Sequence, residues 1–265
     1  MGWAGEELGR TGRRRTSGTR LKAIHEDRQR VGLVGTGLDL GKGACRHGIY
    51  ELRRQLVLVE ADRPARESHD SPAGQLSLVV EGHALLDAAR RGMSALLLDH
   101  LGRTIVRCLP THDIGGDGRA QVKLVRRLRE AMIEAQEASR ASGIAEEGRA
   151  SATVLFTNES FFWVARWGDG AVFLSRAGYL ELLTSGTGAD EDETPVDVLG
   201  APLQPGDTFL LATLEVAGSL ETEVLGRALR DIGDNDEAVA AAVRTLGDAA
   251  LSAGVHEGSL VIARG

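Results

Sequence analysis

The order of strand-like and helix-like stretches is what most narrows the folds open to this chain. Short runs rich in Val and Leu read as strands at residues 31–37, 55–60 and 76–80. Two helical patterns follow. Over 84–101, Leu85, Leu86, Ala89, Met93, Leu96 and Leu97 fall near helical spacing, and over 119–141, Val122, Val125, Leu128, Met132 and Ala135 share one side. Strands then return at 152–157, 161–166, 171–175, 179–183 and 208–214. Asn158-Glu159-Ser160 and Arg176-Ala177-Gly178 suit hairpin connections between them. Residues 61–75 and 185–206 carry prolines and charges and read as loops, and 111–118 as a turn-rich loop. Two amphipathic helices at 220–231 and 236–252 and a strand at 259–263 close the chain. Helix pairs segregated from antiparallel strands indicate an α+β layered domain, and the two strand groups flanking helix pairs suit a sheet-on-sheet sandwich with helices outside.

Length and charge bound the function. The 265 residues, 42% apolar and 26% charged, suffice for one large domain with a full core. A net charge of −7 argues against a general nucleic-acid binder. No apolar run approaches the roughly 18 residues that span a bilayer, so no membrane role is expected. Two cysteines, Cys45 and Cys108, are too few for a disulfide framework, and a reducing cytoplasm is the simplest compartment. Residues 1–28 differ from the rest. Arg, Gly and Ser dominate there without an apolar period, which reads as a flexible basic tail ahead of a domain at 29–265. Within it, Arg13-Arg14-Arg15-Thr16-Ser17 has the make-up of a basophilic kinase acceptor.

Several familiar chemistries fail on spacing. The stretch from Gly35 to Gly43 has Thr36 where a Walker loop needs its first Gly, Gly43 where it needs Ser or Thr, and Leu40 where a dinucleotide fingerprint needs its third Gly. His83, His100, Cys108 and His112 match no paired zinc pattern. Cys45 has no phosphate-loop arginine placed after it, and Asp113 to Gly118 lacks the ligand spacing of an EF-hand. Trp163 and Trp167 read as packing residues.

Five local patterns remain. They are Asp39-Leu40-Gly41-Lys42; Val80-Glu81-Gly82-His83; the strand entry Ser151-Ala152-Thr153; the run from Val164 to Leu174 around Gly168-Asp169-Gly170; and Leu203 to Glu215 with its Gly206-Asp207, followed after two helices by Gly254 to Ile262. Their order and strand context resemble the metal-dependent (PPM-type, type 2C) Ser/Thr protein phosphatases over about residues 31–264. The resemblance implies the αββα fold. It also implies chemistry in which two Mn²⁺ or Mg²⁺ ions lower the pKa of a bridging water and neutralise the phosphoryl group.

That site needs several carboxylates converging on one point. Carried over residue by residue, the core carboxylates fall on Ile49, Glu81, Leu214 and His256, the phosphate-binding arginine on Ala44 with Arg46 two residues on, the carbonyl ligand on Gly82, and an outer-metal acid on Asp169. The asparagine after the last core acid becomes Glu257. One core carboxylate in four is little negative charge for a close pair of dications. If the first motif slips, Glu51 or Asp62 supplies an acid instead. The resemblance therefore points to a degenerate metal site: vestigial or weak ligation by Glu81, Gly82, Asp169, His256 and Glu257, no catalytic residue and no expected cofactor. Its function would be that of a pseudophosphatase binding a protein partner, a kinase or phosphoprotein. The alternative is a divergent enzyme that binds Mn²⁺ or Mg²⁺ weakly and hydrolyses phosphoserine or phosphothreonine.

Overall fold

The structure, a computed structural model, describes residues 34–40, 45–53, 56–60, 74–83, 87–108, 118–141, 149–158, 160–184, 196–230, 232 and 236–265. The chain divides into two units, Met1–Arg30 and Val31–Gly265. The basic tail, its kinase-acceptor sequence, Ala44, Asp62, His112 and the 111–117 loop lie outside the described residues.

Strands β1 (Val34–Leu40), β11 (Gly258–Arg264), β10 (Thr208–Ala212), β7 (Ala171–Arg176) and β8 (Tyr179–Leu182) form one antiparallel sheet in that order, here sheet A. Strands β3 (Leu56–Glu60), β2 (Cys45–Arg53), β4 (Gly74–His83), β5 (Arg149–Thr157), β6 (Phe161–Trp167) and β9 (Asp197–Pro202) form the second, sheet B. Helices α1 (Asp87–Cys108) and α2 (Gly118–Ala141) follow β4, α3 (Leu214–Ser219), α4 (Thr222–Arg230) and α5 (Asp236–Ser252) follow β10.

Period-two alternation sorts the buried side chains into three cores. Leu76, Leu78 and Val80 of β4 turn outward and pack with Met93, Leu97, Leu128 and Met132 of α1 and α2. Leu210 of β10 and Leu260 and Ile262 of β11 turn the other way, against Leu225, Val243 and Leu246 of α4 and α5. Between the sheets lie Val79, Leu155, Phe162, Val164, Phe209, Leu211 and Val261. Three apolar layers between four layers of structure make the expected αββα sandwich. Trp163 and Trp167 are packing residues in the α1/α2 core, and Trp163 stacks on Phe156 with ring centroids 5.4 Å apart.

Several boundaries differ from the sequence reading. β2 appears where only a motif was read, because Cys45–Leu52 pairs residue by residue with Glu81–Gly74. The strand read over 76–80 is longer: β4 continues through Glu81 and Gly82 to His83, which pairs with Arg149, so the acid–glycine step is itself strand. Residues 185–206 are not one loop: Asp197–Pro202 pairs with β6 as the edge of sheet B. The strand read to Leu214 ends at Ala212, and Leu214 opens α3. Val122 is exposed at 71%. The buried side of α2 runs through Leu124, Leu128, Ala131, Met132 and Ala135.

Candidate functional site

Strand direction gathers the motif residues. β1, β4, β6 and β10 arrive at one end of the sandwich, and β2, β5, β7 and β11 leave from it. A short connection, 168–170, carries the chain there from β6 of sheet B to β7 of sheet A. Glu81 and Gly82 close β4, Asp169 lies in the β6–β7 connection, Leu214 begins α3 just past β10, and His256 and Glu257 precede β11. All six are at this loop-bearing end.

Their environments differ. Gly82 is buried, Glu81 and Glu257 are half-buried, and Asp169 and His256 are exposed. Leu214, 53% exposed, presents an apolar side chain where the resemblance places an acid, and Glu215 beside it is exposed. Ile49 does not come to the level of Glu81. It pairs with Ser77, and the β2 residue opposite Glu81 is Cys45. Four residues of strand amount to about 13 Å, so the first motif slips in register against the carried-over assignment. Glu51 pairs with Gln75, farther still from this end.

Two glycines let the sheets approach. A Cβ on Gly37 would sit 2.5 Å from Nε2 of His47, and one on Gly170 would run into the Thr153 hydroxyl of the other sheet. Gly168, with φ 80°, makes the turn that carries Asp169.

A polar network joins the sheets here. Asp39 Oδ1 accepts from Ser259 Oγ at 2.5 Å and from His47 Nδ1 at 2.7 Å. Deeper in sheet B, the buried Arg166 donates to Asp197 Oδ2 at 2.9 Å. The sequence reading used Asp39 only as a motif start and did not connect it to His47. Ser259, 220 residues from Asp39, had no local signal to link it to either.

The described residues do not fit a pair of metal ions. Leu214 has no donor atom, Ile49 is on the wrong rung, and Asp39 Oδ1 is already engaged twice. Among the described residues no group of three or more His, Cys, Asp and Glu side chains is arranged to hold a metal ion. No helix among them is long and apolar enough to cross a membrane.

A second constellation is structural. Asp207, 1% exposed, receives Arg176 in a two-pronged pair, Nε to Oδ1 at 2.8 Å and Nη2 to Oδ2 at 2.6 Å, and also accepts from the Gln204 amide at 2.8 Å. The hydrogen-bonded Asp207 carboxylate raises the Arg176 guanidinium above its ordinary value, against the lowering effect of burial. The Gly206-Asp207 motif thus anchors a turn at the end of the sandwich away from Glu81. A polar cleft of about 240 Å³ opens nearby, lined by Ser175, Thr208, Arg230 and Arg264, with Arg264 donating to the Ile232 carbonyl beyond α4.

No family model matches the chain, and no curated protein matches it by sequence. Solved structures do. The catalytic domain of the serine/threonine protein phosphatase PstP, solved with two manganese ions, superposes with a TM-score of 0.59 at 16% identity, covering 88% of this chain and 97% of that one. Stp1, a serine/threonine phosphatase from Staphylococcus aureus, gives 0.62 at 13% identity over 92% and 98%. The serine/threonine phosphatase of S. agalactiae gives 0.60 at 11% identity over 88% and 98%. The chain therefore has the fold of the type 2C Ser/Thr protein phosphatases over nearly their whole catalytic domain. At these identities the likeness carries the fold alone.

Proposed function

We propose that this chain is a non-catalytic type 2C phosphatase-like protein, a pseudophosphatase that serves phospho-signalling as a regulatory or binding module. The observation that carries this reading is Leu214. It stands where the strand of a central acid motif meets its helix, and it offers hydrocarbon to the place where an anion would face a dication. His256 at the β11 entry supplies no negative charge, and Glu81 is one methylene longer than the family's aspartate. A dication pair without converging carboxylate oxygens is neither bound tightly nor able to acidify a water. The domain's retained surface would then act by holding a kinase or phosphoprotein, in the cytoplasm, rather than by turning over phosphate esters.

The competing reading is a divergent Mn²⁺- or Mg²⁺-dependent Ser/Thr phosphatase built on Glu81, Asp169, His256 and Glu257. The PstP catalytic domain, which shares the fold and was solved with two manganese ions, favours it. Calorimetric titration of the purified chain with Mn²⁺, paired with hydrolysis of an aryl phosphate and a phosphothreonine peptide, separates the two. No measurable Mn²⁺ binding and no turnover above buffer are expected. Turnover that is lost on Glu81→Ala would establish the enzyme.

A further inference from the structure

Asp39 takes partners from both sheets. Ser259 on the neighbouring β11 pairs with it across the ladder and donates to Oδ1. His47 on β2, in the opposite sheet, donates Nδ1–H to the same oxygen. Ser259 is fully buried, the His47 side chain is 17% exposed and that of Asp39 39%. A carboxylate only accepts, so the contact requires a proton on Nδ1. The ring lies over Gly37, where any Cβ would displace it.

We propose that Asp39, His47 and Ser259 form a latch that fastens the two sheets together at the loop-bearing end and sets how far the candidate site opens. The apolar layer between the sheets, with Val79, Leu155 and Val261, is non-directional and does not by itself fix how one sheet sits over the other. Charge-assisted hydrogen bonds do, because they tolerate little change in length or angle. The latch also lies close to the loop-bearing end: Asp39 is the last residue but one of β1, and Ser259 and His47 are the second and third residues of β11 and β2. Closing this end by side-chain hydrogen bonds is a function separate from hydrolysis and holds whether or not the chain turns over a phosphate ester.

Two measurements on the intact chain test it, neither of which reads phosphatase activity. In ¹⁵N-labelled protein at alkaline pH, where imidazole is neutral, the His47 resonances should show the proton on Nδ1. Hydrogen exchange of the Asp39→Ala and Ser259→Ala variants should then show faster exchange confined to 38–40 and 46–48 and their ladder partners 258–260 and 78–80. About tenfold or more is expected for Asp39→Ala and less for Ser259→Ala, with 75–77 of β4 unchanged. A proton on Nε2 in the unmodified chain would overturn the latch. So would exchange that is unaltered, or raised uniformly across both sheets. Should Asp39→Ala fail to fold, the His47 tautomer and the Ser259→Ala exchange pattern decide.

Discussion

At the scale of single residues, the strongest commitments are a buried pair and a strained turn. Asp207 loses water almost completely and is held by Arg176 and the Gln204 amide. Asp207→Ala leaves Arg176 without its carboxylate, and because that guanidinium is 29% exposed the cost should fall at the low end for a broken buried pair, about 3 kcal/mol by urea unfolding. Since the folded-state value of Arg176 is raised, its contribution is complete below its unfolded value and is lost only as pH climbs past the folded one. The Asp207→Ala deficit should therefore be the same at neutral and moderately alkaline pH. Ala177 has φ 50° and Gly178 φ 83°, the two positive values of a type I′ hairpin turn, and a residue with a Cβ pays for the first of them. Ala177→Asn should stabilise the domain by about 0.5–1 kcal/mol, read as a higher thermal midpoint. The turn itself was legible from Arg176-Ala177-Gly178. The Arg176–Asp207 pair was not, since 31 residues separate partners that only the finished sheet brings together.

At the scale of elements, the runs that alternate cleanly or repeat at helical spacing were readable, and the ones missed have little local signal. β2 reads Cys-Arg-His-Gly-Ile-Tyr-Glu-Leu-Arg, with a central glycine and four charged or imidazole side chains, and becomes a strand because β4 and β3 both pair with it. β9 contains Gly200 and ends on Pro202, tolerable because it is an edge strand, and Gly200 leaves room for the Trp163 ring. The run Phe209 to Leu214 is broken only at Thr213, the N-cap of α3, and with that single mark of where strand yields to helix passed over, Leu214 was read as strand although it opens α3. How closely the sheets approach is likewise set by a residue type rather than a pattern. Gly170, at the entry to β7, faces the buried Thr153 of β5. Gly170→Ala should cost about 1–3 kcal/mol by overpacking. Because the nearest atom is the Thr153 hydroxyl, with Thr153 Cβ next, Thr153→Ala should recover much of that loss in the double variant. Equal losses with and without Thr153→Ala, compared by chemical denaturation, would show that the two sheets do not meet there.

For the molecule as a whole, motif order was enough to foresee the αββα sandwich, because five weak patterns in sequence order constrain topology far more than any one of them constrains chemistry. The register of the site was not foreseeable, since a single slipped anchor moves a residue along a strand without changing the fold. Ile49 is the case in point: alignment from Gly41 puts it at a ligand position, and pairing with Ser77 puts it four rungs away. The distinction can be tested on function. Exchanging Glu81, Leu214 and His256 for Asp supplies three acids at the loop-bearing end but no acid on β2. Adding Cys45→Asp, on the rung opposite Glu81, should produce measurable Mn²⁺ binding by calorimetry. Adding Ile49→Asp in its place should not, because a charge about 13 Å along the strand is beyond the reach of a coordination bond near 2 Å. Binding restored by Ile49→Asp and not by Cys45→Asp would return the first motif to its alignment register and contradict the β2–β4 pairing. Binding by the unmodified chain, lost on Glu81→Ala, would instead show that the acids already at this end suffice for a metal ion, and hydrolysis of the phosphothreonine peptide would then decide whether the chain is an enzyme.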